Sequence, residues 1–490
     1  MAAGAGLLIV IVVCLSPSGT SAVNPGFKGR VTQSGLNYLR DVGLQILKEE
    51  IDNLPVPDLS GSAKIGWLGY ISYTVSNIRI TNFAIPSSTI TTRDGVGLVV
   101  RANRLSLSVS GNWYYTNHGW IRIRDSGTFD GSMSGSFLAL TLRIGKDRAG
   151  RPTVESTSRD CTVDAGSVSV KLRGGASWLY NLFSRRINSA IESAINRKAC
   201  SQIIHGVNTD LQNQFSRLLT QTPIEPYAVV DYSLVDPPTF SGHVDTSHKG
   251  EVFSKRIRTE APYTPPVIPP DSDSSRHVFL WLTDYLIETA GYVYYQAGLF
   301  VHTVTPDELP PGLYRDNFNT SAVMMRFIVP EVSKKYPNML MQVDARAVAP
   351  PTVSIDEVHF NATVKVDLDF FATLPNKARA YLFTLNVTVN GSTELAYTGS
   401  SMTWNTDALR VDVGLKRTTV GVFNLQFISR AVGSLSNHFL LPWINREGEN
   451  GLPLPPSSPN IKLVKPIISQ GKGFIKLGAD VVFTPTAEIA

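Results

Sequence analysis

Nine prolines fall between Thr222 and Pro270: Pro223, Pro226, Pro237, Pro238, Pro262, Pro265, Pro266, Pro269 and Pro270. A ring-locked φ and a missing N–H keep proline out of helix interiors and central strands. This stretch therefore reads as an extended connection with a few strand fragments, and it divides the 490 residues into two parts of the ~200 residues expected of single domains. The expected organisation is a leader over residues 1–22, a first domain over 23–222, the Pro-rich linker over 223–270, and a second domain over 271–490.

The two parts share one grammar. From Thr32 to Asn53, residues Leu36, Leu39, Gly43, Ile46 and Leu47 recur on one helical face, and Pro55 and Pro57 end the run. Between Lys64 and Val170 the period drops to two, as in Leu105-Ser106-Leu107-Ser108-Val109 and Val168-Ser169-Val170-Lys171-Leu172, with glycine-rich turns between. A second helix is predicted over about Trp178–Ile204, where Phe183, Ile187, Ala190, Ile191 and Ala194 return at three and four. In the second part Trp281–Val301 is helical in its apolar spacing, Thr352–Tyr397 alternates as strands, and Phe423–Ile444 is helical again. Helix, strands, helix thus occurs twice, an architectural duplication without a visible sequence repeat. A strongly twisted antiparallel sheet wrapped on a long helix makes an elongated barrel with an apolar interior, so the fold class is α+β.

The apolar run Gly6–Leu15 followed by Thr20-Ser21-Ala22 has the pattern of a secretory signal peptide. It is half the ~20 residues that span a bilayer. No later window approaches that length without a charge or a proline, so any membrane contact of the mature chain is expected to be peripheral. With Cys14 in the leader, Cys161 and Cys200 remain, an even number that favours one disulfide in an oxidising compartment; two buried free thiols are the alternative. Closing such a loop of about 40 residues would stabilise by roughly 4 kcal/mol in the chain-entropy treatment. Four glycosylation sequons start at Asn319, Asn361, Asn386 and Asn390, all in the second half.

Charge is uneven. Residues 24–220 carry 23 Lys and Arg against 14 Asp and Glu, a net +9, and the remainder carries 22 against 26, which together give the net +5 of the chain. A basic first half suits an anionic partner there. The cations are scattered, unlike a nucleic-acid arm, and a solvated surface explains the same numbers. Enzyme signatures are missing: Gly131-Ser132-Met133-Ser134-Gly135 has Met where a nucleophile elbow needs Ser. There is no His-Glu-x-x-His, P-loop or dinucleotide fingerprint, and His243 and His248 lie close only within the linker. No enzyme, metal or cofactor is expected.

Several segments carry a family resemblance: Val23-Asn24-Pro25-Gly26, Thr32-Gln33-Ser34-Gly35-Leu36-Asn37-Tyr38, Ile85-Pro86-Ser87-Ser88, Leu282-Thr283-Asp284-Tyr285, Phe327-Ile328-Val329-Pro330-Glu331-Val332, Lys334-Lys335-Tyr336-Pro337-Asn338-Met339, Gly451-Leu452-Pro453-Leu454-Pro455 and Gly478-Ala479-Asp480-Val481-Val482. In this order the chain resembles the bactericidal permeability-increasing protein and lipopolysaccharide-binding protein family of tubular lipid-binding proteins. The resemblance implies an elongated boomerang of two similar barrels joined by a central sheet and the Pro-rich linker, with a phospholipid in each barrel. It also implies a disulfide between Cys161 and Cys200 that ties a strand of the first barrel to its second helix.

In the antibacterial members, exposed lysines at the tip of the first barrel engage the phosphates of lipid A, and cations on hairpin tips supply the charge-assisted contacts that phosphate requires. Here Lys64 matches a family basic position, whereas Tyr70 and Asn112 stand where the better-known members are basic. The remaining cations assigned to this tip are Arg101, Arg104, Arg122 and Arg124, and aromatic residues take up the rest: Trp67, Tyr70 and Tyr73 on one hairpin, Trp113, Tyr114, Tyr115 and Trp120 on the other. Such rings favour the membrane interface, and they can equally pack inside a barrel. The face Leu36, Leu39, Gly43, Ile46 and Leu47 is expected to line the first lipid pocket, with Tyr285, Ala290 and Gly291 in the matching part of the second.

The leading expectation is a secreted innate-immunity protein that binds lipopolysaccharide, phospholipid and the anionic bacterial membrane and acts against Gram-negative bacteria, with a lipid-receiving receptor as a further partner and no nucleic acid. A phospholipid carrier without antibacterial activity is the alternative. The chain stops soon after Val482, without the amphipathic extension of the neutral-lipid transfer relatives, so cholesteryl ester exchange is not expected.

Overall fold

The computed structural model describes residues 24–52, 56–65, 69–117, 124–175, 184–224, 226–309, 311–398, 401–422, 424–453 and 461–484. Residues 1–22, where a leader is expected, lie outside them. Two long, curled antiparallel sheets flank a central one. The first sheet joins Leu59–Ile65, Gly69–Ala84, Gly97–Asn117 and Arg124–Lys146, with four shorter strands on its edges. Its counterpart in the second half joins Val301–Val304, Met341–Ala347, Phe360–Thr373, Arg379–Thr398 and Ser401–Thr418.

Strands from the start, middle and end of the chain meet in the central sheet. Its order runs Thr239–Phe240, His243–His248, Phe27–Thr32, Val278–Thr283, Phe474–Phe483 and Ile461–Gly471. The linker supplies a further three-stranded sheet, Gln221–Ile224, Ala228–Asp231 and Glu251–Ser254. These are the strand fragments its sequence suggested. The prolines of 262–270 lie in irregular chain beyond them.

The first helix runs Gln33–Asp52. The Thr32 hydroxyl caps it by accepting from Gly35 N at 3.2 Å, which satisfies one of the orphan N–H groups of the first turn. Leu36 and Leu39 are buried in a cluster with Val31, Ile90, Leu98 and Val244, and each fully buried leucine contributes about 2 kcal/mol. Toward its end Gly43, Ile46 and Leu47 are half-buried. The Tyr38 hydroxyl accepts from Phe483 N at 2.7 Å, tying this helix to the last strand of the chain.

One expectation needs correcting. Trp281 does not begin a helix: Val278–Thr283 is a strand between Phe27–Thr32 and Phe474–Phe483, and the helix runs Asp284–Gln296. The alternating burial of Phe279, Trp281 and Thr283 is a period-two signal that the following helical spacing obscured.

A common device closes both barrels. The second helix of the first half, Ser184–Gly206, lies along the free edge of the short strands Cys161–Asp164 and Ser167–Arg173. Asn188 Oδ1 accepts from Val170 N (2.9 Å) and Asn196 Oδ1 from Ala165 N (2.8 Å). In the second half the helical run 425–450 lies along Ser401–Thr418, where Asn437 Oδ1 accepts from Leu409 N and Asn445 Oδ1 from Thr406 N, both at 2.8 Å. Both pairs are spaced by eight residues, about two helical turns. Each supplies acceptors to backbone N–H groups of the sheet edge and its connections that would otherwise be buried unpaired under a helix. Cys161 and Cys200 form a disulfide with a Cα–Cα distance of 5.7 Å and fasten the first of these helices further.

Candidate functional site

Two features could hold a lipid: the outer face at one end of the first barrel, and a cavity inside the second. The first is built on the hairpin Leu59–Ile65/Gly69–Ala84 and on the ends of Gly97–Asn117 and Arg124–Lys146. Directly opposed residues of an antiparallel pair share a face. Lys64 opposes Tyr70, Thr74 opposes Tyr114, and Thr116 opposes both Ser72 and Arg124. Lys64, Tyr70, Tyr114 and Arg124 therefore lie on one side of the sheet. Tyr70 is 62 % and Tyr114 43 % exposed, and the Lys64 ammonium sits 5.9 Å from the Tyr70 ring centre.

The other side of the same strands is buried. Trp113 is 7 % exposed, its indole N–H donates to the Thr128 carbonyl at 3.0 Å, and Tyr115 stacks beside it with ring centres 6.1 Å apart. Gly127, opposite Trp113, leaves room for this packing, because a methyl there would collide with the Arg173 carbonyl and stand 2.9 Å from the indole nitrogen. Trp113 thus faces the interior and is not part of a membrane-inserting surface. Tyr73 opposes Tyr115 and shares its face, although it is exposed.

Arg101 and Arg104 do not belong to this end either. Both are exposed, but Asn117 lies 13 residues beyond Arg104 on one strand, about 40 Å at 3.3 Å per residue. They sit toward the central sheet, where neighbouring Leu98 packs with Val31 and Val244. Trp67, Trp120 and Arg122 lie outside the described residues.

The cavity in the second barrel encloses about 500 Å³, within the ~300–1,000 Å³ range of small-molecule sites. Leu368 opposes Leu385 and Phe370 opposes Phe383 across two strands, the two phenylalanine rings stacking at 4.5 Å. Ile428 and Val432 close the cavity from the helical side. Asn317, Ser434 and Ser436 are the polar side chains in this otherwise apolar wall. Such a lining offers a hydrocarbon dispersion contacts and few hydrogen bonds, so it selects by shape and apolarity.

Sequence reasoning missed these residues. The helical spacing of Ile428, Val432 and Leu435 and the alternation of Leu368 and Phe370 were both visible, but nothing local said that the two surfaces face each other.

Tyr285, Ala290 and Gly291 have other surroundings. Ala290 packs with Val230, Val252 and Val293 against the linker sheet, and Gly291 lies beside Pro351. Tyr285 is buried, and burial together with nearby Glu251 pushes its hydroxyl pKa well above the ordinary value, so it stays neutral. Tyr285 and Ala290 pack toward the linker sheet, Gly291 packs within the second half, and none of the three is in the cavity wall. Among the described residues no group of three or more His, Cys, Asp or Glu side chains is placed to hold a metal ion. No helix among them is long and apolar enough to cross a membrane.

Residues 35–216 match the N-terminal domain and residues 222–483 the C-terminal domain of the family described as LBP / BPI / CETP. The chain belongs to the LBP/BPI/CETP family. Members of the LBP/BPI group are lipid-binding proteins and not enzymes, in keeping with an apolar cavity and a cationic, aromatic surface as the candidate sites. Lipopolysaccharide-binding protein of Mus musculus is 30 % identical over 99 % of both chains. Bactericidal permeability-increasing protein of Sebastes schlegelii is 28 % identical over 96 % of this chain and 98 % of its own. A crystal structure of lipopolysaccharide binding protein aligns with 94 % of this chain and all of its own at 28 % identity, with a TM-score of 0.58.

Proposed function

We propose that this is a secreted lipid-binding protein of innate defence that captures lipopolysaccharide and related anionic lipid at bacterial outer membranes. The carrying observation is the shared outer face of Lys64, Tyr70, Tyr114 and Arg124 at the end of the basic half. The two cations would meet phosphate, and the two tyrosines would enter the headgroup boundary with their hydroxyls wet. Cations so sparse imply affinity that leans on the rings as well as on charge, and so a shallower salt dependence than a lysine-rich surface would give. A phospholipid in each barrel and glycans at Asn319, Asn361, Asn386 and Asn390 complete the reading. Of these asparagines, Asn386 lies exposed on its strand, next to buried Val387.

A second reading, a phospholipid carrier without antibacterial action, is favoured by the second-barrel cavity, whose wall asks for hydrocarbon and not for charge. Binding of the mature chain to purified lipopolysaccharide and to phosphatidylcholine vesicles, each across a salt series, separates the two. The immune reading expects tight lipopolysaccharide binding that weakens with salt and falls at least ten-fold in K64S/R124S and in Y70S/Y114S. Equal or better uptake of phosphatidylcholine, unaffected by those variants, would establish the carrier.

A further inference from the structure

The second barrel has an exposed apolar end of its own. Leu395 and Met402 cluster with Ile475 and Leu477 of the central sheet. Thr418, at the other end of the strand that holds Met402, is 16 residues further on, about 50 Å away. Two helices meet at that far end. Val323 and Phe327 lie one turn apart on the helix Val323–Ile328, each 69 % exposed, and Val422 is 85 % exposed. Asn424 N donates to the Ile328 carbonyl at 3.1 Å, which brings the two segments together. The Asn424 side chain then caps the next helix at Phe427 N, leaving Leu425 and Phe427 exposed in its first turn.

Large apolar side chains left together in water mark a docking surface, and charge says for what. Residues 323–335 and 419–435 carry Arg326, Lys334, Lys335 and Arg430 against one acid, Glu331, within a half of the chain whose net charge is −4. Lys335 reaches the Thr419 carbonyl at 3.4 Å, so a cation flanks the apolar segment directly. The opposite faces of the same two helices, through Met325, Ile328, Ile428 and Val432, form the wall of the 500 Å³ cavity. Glu331 packs beside Gly421 and pairs with Lys334 at 2.6 Å, which leaves Arg326, Lys335 and Arg430 as the cations in excess on these segments. An apolar cap with a cationic excess, and an apolar cavity behind it, fits the boundary between the acyl and headgroup layers of an anionic bilayer.

We propose that this far end of the second barrel is a second lipid-surface site, which docks on a bilayer bearing anionic headgroups and loads the cavity behind it. The inference rests on the lipid-binding reading of that cavity and is independent of the site on the first barrel.

The test uses the full mature chain with Val422→Cys carrying an environment-sensitive fluorophore, mixed with vesicles of phosphatidylcholine alone or with one quarter phosphatidylglycerol. The proposal expects a blue shift and intensity rise on the anionic vesicles, and an apparent affinity reported by the label that weakens at least five-fold in R326S/R430S. It also expects the same weakening in F327S/F427S, with lipopolysaccharide binding retained. A label that stays in water, whether or not the protein co-sediments with the vesicles, overturns it. A label that responds while lipopolysaccharide binding fails overturns the first-barrel reading and leaves this one standing.

Discussion

Trp113 and Tyr114 are chain neighbours on opposite sides of one strand, and the difference decides what each does. Replacing buried Trp113 by Ala removes its packing on Tyr115 and the hydrogen bond to Thr128. A loss of about 3–5 kcal/mol is expected, read from urea unfolding. Tyr114→Ser should change stability by no more than about 0.5 kcal/mol while weakening binding to anionic vesicles. A second residue-scale device holds down the chain just after the linker. Lys476 donates to Asp271 at 2.6 Å and Asp273 at 2.9 Å, and with Lys28 it flanks the Trp281 ring at 5.7 and 5.3 Å. The Lys476 hydrogen bond draws the Asp273 carboxyl from the ordinary 3.8 down to about 2. A depressed carboxylate adds stability that is complete above the unfolded pKa and is lost as pH falls through the folded one, here between about pH 4 and 2. Asp273→Asn should flatten the pH dependence of the melting temperature in that window and leave its slope near neutrality unchanged.

At the scale of elements, the paired asparagines help to hold two long helices on their sheets. Their amides take the place of a missing strand partner, so truncating one leaves a strand N–H buried without an acceptor. Asn445→Leu and Asn437→Leu should each cost about 1–3 kcal/mol in urea unfolding, and Asn196→Leu should do the same in the first barrel. A leucine there adds apolar surface, so a stabilised variant would show that packing and not the hydrogen bond holds the helix. Elements also differed in how well they could be read. The helix over 33–52 carried both its apolar face and its terminating prolines in local sequence. The stretch 281–301 did not, because a short apolar run fits a buried strand and a helix equally well.

On the scale of the whole molecule, the central sheet makes the two halves interdependent. Phe27–Thr32 pairs with linker residues 243–248 on one side and with 278–283 on the other. In a fragment of residues 24–220 both partners are gone. Hydrogen exchange should therefore find the amides of 27–32 protected in the full chain and open in the fragment, with Thr141, Val154 and Val170 protected in both. Equal protection of 27–32 in the two would show that the first half orders its leading strand unaided.

Local sequence determined most of the long elements, though not the strand at 278–283, together with the Pro-rich seam, the duplicated order of helix, strands and helix, and Cys161 and Cys200 as the candidate disulfide partners, because periodicity, proline and cysteine count act over a few residues or by elimination. Tertiary structure alone decided which side of a strand is inside, so that Trp113 turned inward and Tyr114 outward from one aromatic run. It placed Arg101 and Arg104 about 40 Å from the end they were assigned to, because position along a 21-residue strand is set by where its hairpins turn. It also moved the second cavity away from Tyr285 and Ala290 to Leu368, Phe370, Phe383 and Ile428. Burial preference is written in each residue, whereas the choice of partner surface is made only when segments far apart in the chain compete for the same apolar face.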